Sequence, residues 1–532
     1  MSHISFKVQL AACIVGGLLF STMGCSRPQS LEETSLKEAN ISQIQTSVTA
    51  TPDSPNESGV ASVPTVAPIL SPQPPPATSL PTLTPIPEMP IPVPNSGPYA
   101  YHTIAEGQTL GYIALLYQTE IEDLVNMNSL DGPSALLQIG QTLRVPVQTQ
   151  TTAPAEPLIP DSEVIYSPGY ADFDVAGFVN RQGGYLSTYS EIVDGETLSG
   201  AELIERASLK FSVGPRVLLA LLEYYGGWVT NPTPTEEQLR LPLGPRNPYG
   251  GLHLPLGFTA NRINAGYYGY KRDGFWIFDL PDRSQAISAQ GVNAGTVGTQ
   301  NILAVHSDFD TWMQAIGPNG FIATYRALFG DPFSYRVQPL VPVNLTQPPL
   351  SLPWQPGEGF YLTSGPHGGF ADGSAWAAID FGPPDVLGNC FYSGAPNTAA
   401  ASGVIVATYP GEVYLDLDGD GNIQTGWVLL YLHVVQDVEA PLQAGQRVNQ
   451  GDIIGYASCE GGLANSSHLH LARRYNGEWM AAGGPVPMNL SGWVVQPNLV
   501  PYEGSIAKGS ELRTACECWE PEQNLIMNTG TE

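Results

Sequence analysis

The chain has 532 residues, of which 21 are Lys or Arg and 49 are Asp or Glu, so its formal net charge is −28. Nucleic-acid recognition depends on clustered Lys and Arg side chains that neutralise phosphates, and this acidic composition excludes that class of function. The 57 Gly and 49 Pro make up about a fifth of the chain, against roughly 12% in average proteins, which predicts long linkers and loops between several domains.

Residues 1–25 have the pattern of an export signal. Lys7 precedes a largely apolar run of 13 residues, 8–20, and the short segment 21–24 leads to Cys25. The run is shorter than the about 20 apolar residues that span a membrane. Cys25 after Gly24 resembles the lipobox of bacterial lipoproteins, in which the cysteine is lipidated; a plain signal peptide and a retained anchor are the alternatives. We expect an extracytoplasmic protein of the cell envelope, anchored in the membrane through Cys25.

Three Pro-rich segments divide the chain. Residues 26–98 contain 16 prolines and no Phe, Trp, Tyr, Cys or His, so they have nothing with which to build a core and are expected to form a disordered, extended stalk. Shorter linkers are predicted at 148–160 and 337–356. The remaining blocks are 99–147, 161–336 and 357–500, with 501–532 as a C-terminal tail.

The block 99–147 has the pattern of a small β-α-α-β module. A strand-like start is followed by a helix opened by Thr109, a second helix and a closing strand from Thr142 to Val145. The block resembles a LysM module on Glu106-Gly107-Gln108-Thr109-Leu110, Ile113-Ala114, Tyr117, Leu124, Asn126, Asn128 and Ile139-Gly140-Gln141-Thr142-Leu143-Arg144-Val145-Pro146. The resemblance implies binding of N-acetylglucosamine-containing glycans such as peptidoglycan, in a groove beside 107–110 and 128–136. Most of these positions are expected to serve the core and its caps.

The block 161–336 predicts a mostly helical middle domain, with apolar residues at helical spacing in 201–207 and 213–225. Its segment 207–225 faintly resembles the acid-bearing helix of lysozyme-like transglycosylases. Glu223, however, lies two residues before the corresponding position and therefore about 200° away around a helix, where it is a poor general acid. We expect a domain that packs against its neighbours or contacts the wall, and we expect His253 and His306 to be solvated or satisfied locally.

Four of the eight histidines lie in the block 357–500. His468 and His470 are two residues apart, so in a strand both side chains lie on one face. His367, His433 and Asp380 also lie in strand-like surroundings. A set of two His and one Asp is sufficient for a tetrahedral zinc site with one open position for water.

This block resembles the lysostaphin-type (LytM-like) zinc endopeptidases of bacterial cell walls. The resemblance is carried by Gly365-Pro366-His367-Gly368, Ala378-Ile379-Asp380-Phe381, Ala401-Ser402-Gly403-Val404-Ile405, Leu429-Leu430-Tyr431-Leu432-His433, Val448-Asn449-Gln450-Gly451-Asp452-Ile453-Ile454-Gly455 and His468-Leu469-His470. It implies an antiparallel, β-rich peptidase domain in which His367, Asp380 and His470 bind Zn2+. It further implies that His433 and His468 flank the open position and share general-base, proton-transfer and oxyanion-stabilising roles.

The aspartate departs from the family pattern. The family usually places it four residues after the first histidine, whereas Asp380 follows His367 by 13 residues. Asp372 is the rival ligand. We favour Asp380 because it lies in an apolar, strand-like segment, whereas Asp372 lies in a Gly-rich loop.

The segment Asp416-Leu417-Asp418-Gly419-Asp420-Gly421 matches the start of a calcium-binding EF-hand loop. Position 12 of such a loop would be Trp427 in place of the bidentate Glu. A polar hairpin turn is the favoured interpretation; a structural Ca2+ at Asp416, Asp418 and Asp420 is the alternative.

Four cysteines remain after the signal segment and permit three pairings. We favour a disulfide between Cys390 and Cys459, since both border the predicted site, and the pairing of Cys516 and Cys518 stays open. Thiolate ligation of zinc is the weaker alternative in an oxidising compartment.

Together these features predict a zinc endopeptidase that hydrolyses peptide bonds in peptidoglycan stem peptides or cross-bridges and is targeted by its LysM module. One alternative is a non-hydrolytic wall-binding or amidase-activating protein on the same scaffold. A second is a peptidase that acts on a protein. Residues 351–532 carry 19 acidic and 5 basic side chains, which offers no attraction to anionic wall polymers, so wall targeting is assigned to the LysM groove and the anchor.

Overall fold

The computed structural model describes residues 99–104, 108–117, 119–146, 151–386, 388–498 and 500–530. All elements given below belong to one compact unit. The predicted signal segment, the lipidation site Cys25 and the stalk lie outside the described residues. Within these ranges, no helix has both the length and the apolar character that a membrane span requires.

The first module is a two-stranded sheet packed against two short helices. Its elements are β1 (Tyr99–Thr103), α1 (Leu110–Leu116), α2 (Ile121–Asn128) and β2 (Thr142–Pro146), and β1 pairs antiparallel with β2. Ile113, Leu124 and Val145 are fully buried between them. The side chain of Asn128 donates to the carbonyl oxygens of Leu124 and Arg144 and accepts a hydrogen bond from the Arg144 amide. Asn128 therefore ties α2 to β2.

The middle domain is mostly helical, as predicted. Its helices are α3 (Asp161–Val164), α4 (Val175–Gln182), α5 (Gly200–Phe211), α6 (Pro215–Gly226), α7 (Glu236–Arg240), α8 (His253–Asp273), α9 (Ala294–His306), α10 (Phe309–Ala315) and α11 (Phe321–Phe329). Two hairpins lie between them: β3 (Ser190–Val193) with β4 (Glu196–Ser199), and β5 (Ile277–Asp279) with β6 (Gln285–Ile287). A capping box between Ser199 and Glu202 starts α5.

The first linker is shorter than predicted. Residues 151–160 join the middle domain: Thr152 forms a bridge with Ile287, and Leu158 and Ile159 are buried in the domain's core. The reason is that Leu158 and Ile159, which stand between the prolines of this segment, pack into the core of the middle domain.

The C-terminal domain is β-rich. Its elements are β7 (Gly359–His367), β8 (Ala378–Gly382), β9 (Pro396–Thr398), β10 (Gly403–Tyr409), β11 (Glu412–Asp416), β12 (Trp427–Leu432), β13 (Val434–Val435), β14 (Arg447–Val448), β15 (Ile453–Ala457), β16 (Leu469–Tyr475), β17 (Glu478–Trp479), β18 (Asn489–Leu490), β19 (Trp493–Val495), β20 (Ser505–Lys508), β21 (Glu511–Thr514), α12 (Pro521–Asn524) and β22 (Leu525–Met527). In the described part of the chain, the largest sheet has nine strands, in the order β14-β10-β11-β12-β16-β8-β7-β22 with β17 beside β16. Its described pairings are antiparallel. Smaller sheets are β13-β15-β9 and β18-β19-β20-β21.

Two segments that the sequence predicts to lie outside this domain are part of it. In the expected tail, residues 501–530 supply β20, β21 and β22, and β22 pairs with β7. In the expected linker 337–356, the side chains of Leu350, Leu352 and Trp354 are buried in the domain's core. Burial of these apolar side chains outweighs the preference of the neighbouring prolines for extended, solvated chain.

Both faces of the large sheet are covered, by different partners. In β12, Leu429 and Tyr431 belong to the C-terminal domain's own core, whereas Val428, Leu430 and Leu432 belong to the core that the sheet shares with the middle domain. This alternation follows from the two-residue period of a strand, and a strand buried on both faces is apolar throughout. The middle domain is therefore a layer of the same folded unit.

Charged side chains are buried where the middle domain meets the sheet. The guanidinium of Arg474 in β16 donates to the carbonyl oxygens of Leu209 and Lys210, at 2.7 and 2.9 Å, in the last turn of α5. The carbonyl end of a helix carries partial negative charge, which favours a cation there. The ammonium of Lys210 lies 2.6 Å from the carboxylate of Glu412, which is fully buried. These contacts fix α5 on the sheet.

Candidate metal centre

Strand register brings the predicted metal ligands together. In the pairing of β16 with β8, His470 lies opposite Asp380, and His367 ends β7, the neighbour of β8. In the pairing of β16 with β12, His470 lies opposite Leu432, the residue before His433. His367, Asp380 and His470 thus come from three adjacent strands. His433 follows the end of β12, and its φ of 62° breaks the alternation of side chains that would otherwise place it on the opposite face from His470.

Three ligand atoms converge at a buried point. Nε2 of His367 lies 3.0 Å from Nδ1 of His470. Oδ1 of Asp380 lies 3.3 Å from the former and 3.1 Å from the latter. The three residues are between 4% and 6% exposed. The described part of the chain thus holds one His, His, Asp group with metal-ligand spacing at this position.

The outer nitrogens of both imidazoles face backbone carbonyl oxygens. Nδ1 of His367 lies 2.9 Å from the oxygen of Gly365, and Nε2 of His470 lies 3.0 Å from the oxygen of Gly369. A carbonyl oxygen only accepts hydrogen bonds, so we assign the ring proton of each neutral imidazole to this outer nitrogen. The inner nitrogens then present lone pairs to one another and to Asp380, whose buried Oδ1 has no hydrogen-bond partner. Lone pairs and a carboxylate packed this closely fit a cation, and two nitrogens with one oxygen suit Zn2+.

Charge and burial oppose each other in this cluster. Burial raises the pKa of Asp380, but the neighbouring His367 and His468 outweigh it and hold that pKa well below its usual range. Burial lowers the pKa of His367, yet Asp380 and the Gly365 carbonyl outweigh it, and the pKa is raised. For His470, burial prevails and the pKa is lowered. Asp380 is therefore ionised, as a metal ligand must be.

His433 and His468 lie beside this group. Their ring centroids are 4.6 Å apart, and the ring of His433 is 6.0 Å from that of His470. Nε2 of His468 lies 3.7 Å from Oδ2 of Asp380. Ser458 joins the two residues, because its amide donates to the carbonyl of His433 and its carbonyl accepts from the amide of His468.

In both flanking histidines, Nδ1 lies within hydrogen-bond distance of a backbone carbonyl oxygen. Nδ1 of His433 lies 2.7 Å from the oxygen of Glu460, and Nδ1 of His468 lies 2.8 Å from the oxygen of Ser466. Burial, followed by the charges of His468 and His470, lowers the pKa of His433 to about 3, so its ring is neutral at pH 7. A neutral ring whose Nδ1 carries the proton leaves Nε2 free to accept one.

A disulfide-linked loop lies next to these histidines. Cys390 and Cys459 form a disulfide, with their Cα atoms 5.5 Å apart, in agreement with the favoured pairing. The hydroxyl of Ser467, the neighbour of His468, donates to the carbonyl of Phe391. Phe391 and Tyr392 are more than 60% exposed. The loop therefore offers aromatic surface beside the site. Cys516 and Cys518 form a second disulfide.

Tyr502 is a neighbour of the site that the sequence did not reveal. Its ring stacks on that of His367, with centroids 4.6 Å apart and planes inclined by 19°. Its amide donates to the carbonyl of Pro366, its carbonyl accepts from the amide of Gly365, and its φ of 70° lies in the left-handed region that few side chains adopt. Such strained residues cluster at functional sites. A lone Tyr in an expected tail carries no periodic signal from which this place could be predicted.

The other candidate residues take different places. Asp372, the rival ligand, lies outside the His, His, Asp group, and its carboxylate accepts a hydrogen bond from Asn261 at 2.6 Å. Glu223 accepts hydrogen bonds from Val229 and Thr230, which is a structural role. His306 is buried and accepts a hydrogen bond from the amide of Arg246.

The acidic segment forms a turn after β11. The carboxylate oxygens of Asp416, Asp418 and Asp420 lie within 4.8 Å of one another. The carboxylate of Asp416 accepts hydrogen bonds from the amides of Asp418 and Gly421, and Asp420 accepts from the amide of Asn422. These bonds are those of a polar turn.

Family comparisons identify two segments. Residues 102–146 match the LysM domain, and residues 157–344 match a family described as LasA, N-terminal domain. The chain therefore contains a LysM domain, and the predicted layout of LysM module, helical middle domain and β-rich C-terminal domain is confirmed. No curated protein matches the chain.

Solved structures similar to the chain include an M23 metalloprotease, a zinc-containing peptidase and lysostaphin. Pseudoalterin from the deep sea is 18% identical, and the match covers 32% of this chain and 96% of that protein with a TM-score of 0.26. A zinc-containing peptidase from Vibrio cholerae is 18% identical over 27% of this chain and 41% of that one, with a TM-score of 0.20. The catalytic domain of lysostaphin from Staphylococcus simulans is 22% identical, and the match covers 24% of this chain and 89% of that domain with a TM-score of 0.17.

Proposed function

We propose that the protein is an extracytoplasmic zinc endopeptidase that hydrolyses peptide bonds in peptidoglycan stem peptides or cross-bridges. The observation that carries the proposal is the convergence of two imidazole nitrogens and one carboxylate oxygen within 3.3 Å of one another in a buried site. His367, Asp380 and His470 would hold Zn2+. When bound, the metal would polarise the scissile carbonyl and lower the pKa of its water to about 7.

The two flanking histidines are the groups that handle protons. The Nδ1 of His433 is hydrogen-bonded to the Glu460 carbonyl, so its Nε2 is the nitrogen that would accept a proton from the attacking water. His468 lies against Asp380 and, once protonated, donates to the leaving amine or stabilises the developing oxyanion. We assign these roles to the pair jointly, because their rings are 4.6 Å apart.

The LysM domain supplies the contact with the wall. We propose that it binds N-acetylglucosamine-containing glycan, while the zinc domain takes the peptide. One residue of the predicted groove, Gly107, lies outside the described residues. Lipidation of Cys25 would hold the protein at the membrane of the cell envelope. A Cys25→Ser variant is then expected to leave the detergent phase on phase partition, and its retention there would contradict the anchor.

Digestion of purified peptidoglycan tests the function. We expect release of stem-peptide fragments that is abolished by chelation and by His468→Ala. If muropeptides stay intact with the zinc-loaded wild type, the alternative of a wall-binding or amidase-activating protein is favoured. Cleavage of a protein substrate in place of peptidoglycan would favour the second alternative.

A further inference from the structure

The segment between the first two proposed ligands forms an irregular loop, residues 368–377, which we term the ligand loop. It leaves β7 after His367 and enters β8 before Asp380. The carbonyl oxygen of Gly369 accepts the hydrogen bond from Nε2 of His470 at 3.0 Å. Since this bond fixes the ring's orientation and leaves Nδ1 free to face the metal, the position of the loop determines the geometry of the third ligand.

The ligand loop has a defined internal structure. The hydroxyl of Ser374 accepts from the amide of Phe370 and donates to the carbonyl of Ala371. Ala371 has a φ of 58°, and a Cβ on Gly368 would lie 2.1 Å from the Ala371 carbonyl. The loop is therefore held together by its own hydrogen bonds and close packing. A displacement of its tip, residues 372 and 373, is then expected to displace Gly369 as well.

Helix α8 of the middle domain holds the tip of the loop. The Asn261 side chain donates from Nδ2 to Asp372 at 2.6 Å and accepts at Oδ1 from the amide of Gly373 at 2.8 Å. A Cβ on Gly373 would lie 2.1 Å from the carbonyl of Asn261, so the loop approaches the helix as closely as only glycine permits. Nearby, the rings of Phe211 and Phe370 meet edge to face at 5.0 Å.

Gly369 is also linked to the middle domain through Trp479 in β17. A Cβ on Gly369 would lie 2.5 Å from the ring of Trp479, so Gly369 packs directly on that ring. The indole of Trp479 donates to the carbonyl of Phe211, and its amide donates to the hydroxyl of Tyr268. Two routes thus connect α5 and α8 with the carbonyl that orients His470.

We propose that the middle domain is a positioning element of the metal centre, and that Asn261 is a positioning residue that acts through the ligand loop on His470. The inference rests on the proposed zinc site and adds a role for the middle domain in metal affinity. When the two hydrogen bonds of Asn261 to the ligand loop are lost, Gly369 can move. The imidazole of His470 is then no longer oriented toward the other two ligands.

A donor–acceptor swap tests this in the full chain. Asn261→Asp places two carboxylates in contact, and we expect zinc affinity to fall about tenfold, as is typical when a partner of a metal ligand is lost. Asp372→Asn alone keeps an acceptor for Asn261 and is expected to bind zinc as the wild type does. The double variant Asn261→Asp/Asp372→Asn restores one donor and one acceptor and should recover the affinity. Asn261→Ala, which adds no charge, should give a smaller loss.

The matched control is Asn247→Ala. Asn247 has the same two-bond pattern, to the carbonyl of Pro255 and from the amide of Tyr249, entirely within the middle domain. The readouts are the zinc dissociation constant from chelator competition and the absorption spectrum of the Co2+ form. The inference is overturned if Asn261→Asp keeps the wild-type zinc affinity and spectrum, or if the double variant recovers no affinity. It is also overturned if Asn247→Ala loses as much zinc affinity as Asn261→Ala does. Absence of zinc binding by the wild type overturns the proposed function itself.

Discussion

The buried ion pair between Lys210 and Glu412 predicts a large and asymmetric mutational effect. Lys210 lies in α5 of the middle domain and Glu412 in β11 of the C-terminal domain, 2.6 Å apart, with side chains 14% and 0% exposed. Lys210→Met leaves the carboxylate buried, with the hydroxyl of Tyr414 as its remaining hydrogen-bond donor among the contacts described. We expect this variant to lose about 3–5 kcal/mol of unfolding free energy, as for other broken buried pairs.

The partner variant is expected to cost less. In Glu412→Gln the ammonium of Lys210 is left unpaired, but it is partly exposed and its long side chain reaches water. The double variant Lys210→Met/Glu412→Gln leaves no buried carboxylate without its lysine partner, so its loss should be smaller than that of Lys210→Met alone. The loss of the double variant minus the losses of both single variants measures the coupling between the two side chains.

Urea unfolding followed by tryptophan fluorescence measures these effects. Trp228 and Trp312 are buried in the middle domain and Trp479 at its contact with the sheet, so both domains contribute to the signal. Because the two domains share a core, we expect one transition that moves as a whole in Lys210→Met. A loss below about 1 kcal/mol, or two transitions of which only one moves, would refute the shared core.

Three further predictions concern single sites. Burial, followed by the charge of Arg246, lowers the pKa of His306 from 6.5 to about 4. Because the unfolded chain takes up the proton first, His306 leaves the free energy of unfolding unchanged above pH 6.5 and lowers it by up to about 3 kcal/mol as the pH falls to 4. His306→Phe should remove this loss of stability in acid unfolding curves. Asp380→Asn should abolish stoichiometric zinc in metal analysis while Asp372→Asn keeps it, and the reverse result would exchange the two assignments. Calcium should leave the melting temperature unchanged in calorimetry, since Trp427 stands where an EF-hand loop has its bidentate Glu, and a clear rise would establish a site there.

Much of the candidate site follows from local sequence. His468 and His470 share a strand face because side chains alternate, and the apolar surroundings of Asp380 predict a buried strand, β8, in which every residue is indeed buried. These features depend on residues a few positions apart. The metal-ligand roles themselves stay a prediction.

The contacts that surround the site depend on distant parts of the chain. Asn261 meets Asp372 across 111 residues, and neither residue carries a local pattern that indicates the other. Tyr502 stacks on His367 from a segment that is expected to be a C-terminal tail. Its strands form because Ile506 and Ile526 find buried places, 2% and 0% exposed, which becomes evident only when the rest of the domain is folded.

The most direct test of the proposed zinc endopeptidase is a metal titration of the metal-free protein on purified peptidoglycan. New amino termini are counted as Zn2+ is added. We predict that their release begins with zinc, rises in proportion to it and reaches a plateau at one metal per chain, and that His367→Ala, which lacks one proposed ligand, shows no such plateau. Release without metal, or new reducing sugar ends in place of amino termini, would contradict the assignment.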